Sequence, residues 1–317
     1  MKKFLALLVS ALFIVLNAAP IQNKIPASAA IALLLNTEQL LNWPLFQQMA
    51  GPQLQKGLSA AQLTTQDIQG SVALGITFAP VQPKENMRFD AIIALKQPVA
   101  EKLFQLAEQE LQKVPNVIKS KEKGKPCLMN DDMKIVLVSP KELTCQIRMG
   151  NKLKFVKLGK SKNVLSKLKT NNATFSAAFD QNKLVKIFQQ DIPPQFQGLI
   201  EGKVFSGITV DLLADGALKC HSIDTFKTAE ACKAALAESN AQLAKMKENP
   251  AFAAIIDKIK IKTDKNTVRS FSEFSATDVQ MVAGSLMMMI MSQVQEQAQA
   301  QAQGAAAPSA PAKPAAK

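Results

Sequence analysis

The only histidine of the chain, His221, directly follows Cys220, and a thiol beside an imidazole is the first pairing that could do chemistry. The surrounding segment, Ala217 to Ile223, reads as a strand, where consecutive side chains point to opposite faces. The two groups therefore do not meet, and a Cys–His dyad is not expected. Ser139-Pro-Lys141 offers a hydroxyl and an amine but reads as a loop without an oxyanion element. Asp131 and Asp132 follow Asn130 in a turn pattern with no third ligand in view. Met281, Met287, Met288, Met289 and Met291 carry thioethers that suit Cu(I). Three consecutive methionines fan around a helix, however, and no histidine cluster accompanies them. They read as an apolar helix packing on a sheet, or, if exposed, as a face for a membrane or partner. No G-x-S-x-G, H-E-x-x-H or glycine-rich phosphate loop occurs. The expectation is a protein that is not an enzyme and holds neither metal nor organic cofactor.

Cys127, Cys145, Cys220 and Cys232 make an even count. In an oxidising compartment that count predicts disulfides, and proximity favours Cys127–Cys145 and Cys220–Cys232. The two other pairings and four buried, reduced thiols stay open. Zinc is disfavoured by the wide spacing and the single histidine.

Charge supplies the other candidate site. The formal net charge is +13, and residues 118–170 hold fourteen Lys and Arg against four acids, a net of +10. Lys152 and Lys154 alternate with Leu153 and Phe155, the pattern of a half-buried strand with its lysines toward solvent, beside Lys160 and Lys162. Such a field attracts anionic polymers, membrane phosphates or an acidic protein partner by salt-sensitive forces. A merely solvated face is the alternative. Nucleic acid is not the expected partner, because no reader motif is present. Sixteen Phe, one Trp and no Tyr disfavour a sugar-stacking groove.

The elements that must position these residues suggest an internal duplication. Gly70–Thr77 and Gly202–Thr209 both fit G-x-V-x-x-G-I-T at an offset of 132 residues. Each is preceded by a short apolar strand, a polar cap (Asn36 or Thr37, and Asp180) and a helix running to Phe-Gln-Gln. Each is followed by a strand and a longer helix. The glycines read as turn and close-packing positions. Two related modules are expected, about 24–168 and 170–292, each a mostly antiparallel sheet packed with helices, an α+β class. Asp215-Gly216 predicts a hairpin. Residues 293–317 read as a Gln/Ala helix extension and a disordered Ala/Pro/Lys tail.

The first twenty residues carry Lys2 and Lys3, an apolar run from Leu5 to Leu16 broken only by Ser10, and Ala18-Ala19. This is the layout of a bacterial secretory signal, residues 1–18, with export to the periplasm or medium as its consequence. Its removal leaves 299 residues and a charge of +11. The run from Ile25 to Met49, with its looser counterpart from Ala173, resembles the opening of modules in uncharacterised bacterial envelope proteins built from paired α+β units. In the second copy the Ile-Pro start is missing and Lys186 stands where Pro44 does. The resemblance implies a fold and no site. The expected function is therefore non-catalytic: contact with an anionic envelope component, a membrane surface or an envelope protein through the basic face. The alternative is a carrier for a small apolar or lipid ligand held between sheet and Met-rich helix. The oligomeric state is left open.

Overall fold

The computed structural model describes residues 21–168, 173–188, 202–248 and 250–284. The signal segment, Met287 to Met291 and the tail lie outside them. The class is α+β: one twelve-stranded, wholly antiparallel sheet with helices against it.

In chain order the strands are β1 (Ile31–Asn36), β2 (Gly70–Phe78), β3 (Met87–Leu95), β4 (Ile118–Glu122), β5 (Lys125–Met129), β6 (Met133–Ser139), β7 (Glu142–Met149), β8 (Phe175–Asp180), β9 (Lys203–Leu212), β10 (Leu218–Phe226), β11 (Lys260–Asp264) and β12 (Thr267–Phe274). In space they run β11-β12-β10-β9-β8-β1-β2-β3-β7-β6-β5-β4. The helices are α1 (Thr37–Asn42), α2 (Pro44–Met49), α3 (Gly51–Ala60), α4 (Ala100–Leu111), α5 (Gln181–Phe188), α6 (Ala229–Lys247) and α7 (Pro250–Ile256), followed by α8 from residue 276.

Strands from both expected modules join one ladder, since β1 pairs with β8 from Ile31↔Phe179 to Leu35↔Phe175. Both octapeptides lie on the next strands outward, β2 and β9. Gly75 and Gly207 hold matching places there. A Cβ on Gly75 would come within 2.6 Å of Ile25 Cγ2, and one on Gly207 would collide with the Leu168 side chain. Each glycine lets a covering segment sit directly on the sheet.

Local chemistry explains the helix starts. The Asn36 side chain accepts from Gln39 N at 3.3 Å, and Pro44 ends α1 and opens α2. Asp180 accepts from Lys183 N at 3.2 Å at the head of α5. The Asp215-Gly216 turn closes β9 onto β10, with Gly216 at φ 88°.

Period-two alternation gives the sheet two buried faces. On one, α4 lays Ala100, Phe104 and Leu111 over Val72, Ala91, Leu128, Ile135 and Cys145. On the other, short 3-10 turns at Ile21–Lys24 and Val164–Lys167 press Ile21, Ile25, Val164 and Leu165 onto Leu34, Ala73 and Ile92. Burial of this kind is the main stabilising term of the fold.

The structure corrects two expectations. Residues 152–158 form no strand. They belong to a strap, 151–163, that bends at 151–153 and has no ladder partners. The expected disulfides are also absent, because all four cysteines are free thiols. Cys127 faces Val136 on β6, whereas Cys145 on β7 faces Ile135. The two lie two strands apart, roughly 10 Å, on opposite faces of the sheet. That is beyond disulfide reach. Cys232 packs on Phe226, and Cys220 lies six residues down β10 from it, roughly 20 Å of strand. Sequence proximity misled here because an intervening strand, or a strand's length, separates residues that are near in the chain.

Candidate functional site

The four candidate lysines all stand on the strap, and all four are exposed. The strap returns from β7 across the face opposite α4, and its backbone is fastened at both ends. At the start, Lys152 N donates to Asn86 Oδ1 at 3.2 Å, Arg148 Nη1 to the Leu153 carbonyl at 3.0 Å and Arg88 Nη1 to the Lys154 carbonyl at 2.8 Å. Arg148 also stacks over Phe155 at 4.9 Å. At the far end, Ser161 N donates to Asn23 O at 2.7 Å, and Asn163 Nδ2 to Ile25 O at 3.1 Å. Leu158 packs into the core below.

Beneath the strap lies a buried ionic group. Arg88 is 3% exposed and Asp90 fully buried; Arg88 Nε donates to Asp90 Oδ1 at 2.8 Å, and Gln146 Nε2 donates to the same oxygen at 2.6 Å. Register explains the meeting, since Asp90 and Gln146 are cross-strand partners and Arg88 is two residues from Asp90 on the same face. Arg88 thus joins a buried carboxylate to a strap carbonyl. No sequence motif marked this group; only the β3–β7 register reveals it.

The strap presents its charge as a row. Lys152 and Lys154 sit at one end and Lys160 and Lys162 at the other, up to roughly 33 Å away if the chain is fully extended. Between them Lys157 approaches Lys123 in the β4–β5 turn, and its amine and charge push the Lys123 ammonium below the usual lysine range. None of the four candidate lysines has an acidic partner among the described residues. Other members of the basic segment are neutralised locally: Lys119 pairs with Glu108 at 2.8 Å and Lys134 with Glu122 at 2.6 Å.

The remaining candidates are dispersed. Cys220 and His221 occupy adjacent positions of β10 and project to opposite faces, with His221 edge-on to Phe271 at 4.6 Å. Burial pushes the Cys145 thiol up to about 12, with the Asp90 charge adding to it, and raises Cys127, Cys220 and Cys232 as well. These are poor nucleophiles at neutral pH. Asp131 and Asp132 lie in the β5–β6 turn, where Asn130 Oδ1 accepts from Asp132 N at 3.0 Å. Among the described residues no group of three His, Cys, Asp or Glu side chains is placed to hold a metal, and no helix is long and apolar enough to cross a membrane.

A groove of about 910 Å³ beside the last residues of β2, at the rim of the central strands, was not anticipated from the sequence. It lies between the β2–β3 loop, Ser28 to Ala30, Leu153 of the strap and α5. Four separate segments build it, so no local pattern announces it.

No family model and no curated protein matches the chain. Among solved structures it is similar to crystal form III of TP0453, with a TM-score of 0.47, 9% identity, and coverage of 85% of this chain and 99% of that one. It is similar also to crystal form I, with a TM-score of 0.44, 11% identity, and coverage of 85% and 98%. For crystal form IV the TM-score is 0.45 at 8% identity, covering 85% and 97%.

Proposed function

We propose that this is an exported, non-catalytic protein that binds an anionic component of the bacterial envelope through the strap 151–163. One observation carries the reading: exposed lysines without acidic partners among the described residues stand on a backbone held by Arg88 and Arg148 from below. A fixed backbone lowers the entropy lost when the row meets a surface. The lysine stems stay mobile, which suits a surface of repeating charge better than a single small anion. Near an anionic membrane each lysine contributes about 1 kcal/mol, within a Debye length of about 8 Å at physiological salt.

The test is retention of the purified protein on envelope fractions. Replacement of Lys152, Lys154, Lys160 and Lys162 together by Gln should release it, while each exposed substitution leaves the core intact. Unchanged retention of the fourfold variant would reject the reading.

A further inference from the structure

We propose that the groove beside the end of β2 binds a single-chain anionic amphiphile, a fatty carboxylate, with its chain along the apolar wall and its head beside Lys186. This site is separate from the lysine row and goes beyond the role given to the strap.

The wall consists of Ala30, Phe78, Ala79, Pro80, Leu153 and Ile187. Its volume of about 910 Å³ falls in the range, roughly 300–1,000 Å³, of sites for small molecules, which suits one acyl chain better than a two-chain lipid. The rim carries Lys84, Lys183 and Lys186 against one carboxylate, Glu85. Asp180 offsets Lys183 from behind, and the one positive charge left over selects an anionic head over a cationic one. The uncharged polar side chains of the lining are Ser28, Thr77 and Gln82, and the Ser28 and Thr77 hydroxyls meet each other at 3.4 Å, which leaves little to recognise a sugar or a nucleotide.

The two lysines of α5 have different tasks. Lys183 Nζ donates to the carbonyls of Ala27, Ser28 and Ala29 at 3.2, 3.4 and 3.3 Å and lies 3.4 Å from Asp180. It therefore binds the 27–29 segment to α5 and fixes one wall. Lys186, three residues on, is exposed and has no acidic partner among the described residues. Its charge is the one a carboxylate can meet. The other walls are fixed too. Phe188 meets Phe78 edge-on at 5.5 Å, Asn86 Nδ2 donates to Gln82 O at 3.1 Å across the β2–β3 loop, and Arg88 holds the strap beside Leu153. A preformed apolar trough with one available cation loses little order on binding an amphiphile.

The mature full-length protein is to be titrated with cis-parinarate, followed by fluorescence, and the probe then displaced with oleate, oleyl alcohol or inorganic phosphate. Oleate should displace it, oleyl alcohol should do so about fivefold more weakly, the size of one exposed ion pair, and phosphate should not compete. Lys186→Glu should weaken oleate at least about fivefold and leave oleyl alcohol unchanged. Ile187→Asp should abolish both, with Pro80→Asp on the exposed loop as a second variant should the first fail to fold. Lys160→Gln with Lys162→Gln, at the far end of the strap, should leave oleate binding intact while weakening envelope retention. That contrast separates failure of the groove from failure of the strap. Absence of parinarate binding, equal competition by the alcohol, or full oleate affinity in Lys186→Glu would overturn the proposal.

Discussion

The Arg88–Asp90 pair shows how strongly one residue can depend on its neighbour. Both charges are withdrawn from water, so removing one leaves the other uncompensated. Arg88→Met should lower stability by about 3–5 kcal/mol in urea unfolding, and a second change, Asp90→Leu, should restore most of it. Equal losses in the single and double variants would contradict the pairing. The cysteines make a second residue-scale prediction: four thiols per chain should react with Ellman's reagent in denaturant without reductant, whereas a paired framework would show none. Asp278 supplies the pH dependence. Hydrogen bonds from Lys258, and from the Ser275 hydroxyl and backbone N–H at 2.6 and 2.7 Å, hold its carboxyl at about 2 against an ordinary 3.8. A depressed acid contributes its stabilisation above its unfolded value and loses it as pH falls through the folded one. The melting temperature should therefore drop between about pH 4 and pH 2 by more in the wild type than in Asp278→Asn. A constant difference across that window would count against these bonds to Asp278.

At the scale of elements, legibility followed how local the determining chemistry was. Asn36, Pro44, Asp180 and Asp215-Gly216 act within one turn, and each stands where its residue type predicts. The strap carries a strand's alternation without being one, because a segment lying on a sheet face also turns alternate residues toward the protein. Leu153, Phe155 and Leu158 turn toward protein and the lysines away, without any backbone ladder. The hairpin of β4 and β5 has a weak apolar signal in the sequence, because Lys119, Lys121 and Lys125 stand on its strands and Lys123 in its turn. Edge position accounts for that composition. β4 and β11 close the two ends of the sheet, and their lysines discourage another strand from adding there. Part of the basic excess thus belongs to edge protection, which narrows the candidate surface to the strap itself. Neither the Arg88–Asp90–Gln146 group nor the groove could be read beforehand, since both depend on pairing between strands and segments distant in sequence.

Over the whole molecule, the sheet grows outward in both directions from the β1–β8 pair, with β2 and β9, then β3 and β10, as the next strands. We infer an ancestral duplication whose halves share one sheet, consistent with Gly75 and Gly207 performing the same steric task under Ile25 and Leu168. The halves differ in what they add: among the described residues the β4–β5 hairpin and the lysine strap belong to the first. On this account the common sheet is scaffold and the strap that follows β7 in the first half carries the surface activity. The most direct measurement is the partition of the mature protein onto vesicles containing anionic lipid, as a function of salt, beside the Lys152, Lys154, Lys160, Lys162→Gln variant. At low salt the wild type should bind on the order of 10³-fold more tightly than the variant, from about 1 kcal/mol per lysine, and the gap should close as salt rises toward ~1 M. Equal partition of the two proteins at low salt, or wild-type binding indifferent to salt, would contradict the assignment of function to the strap.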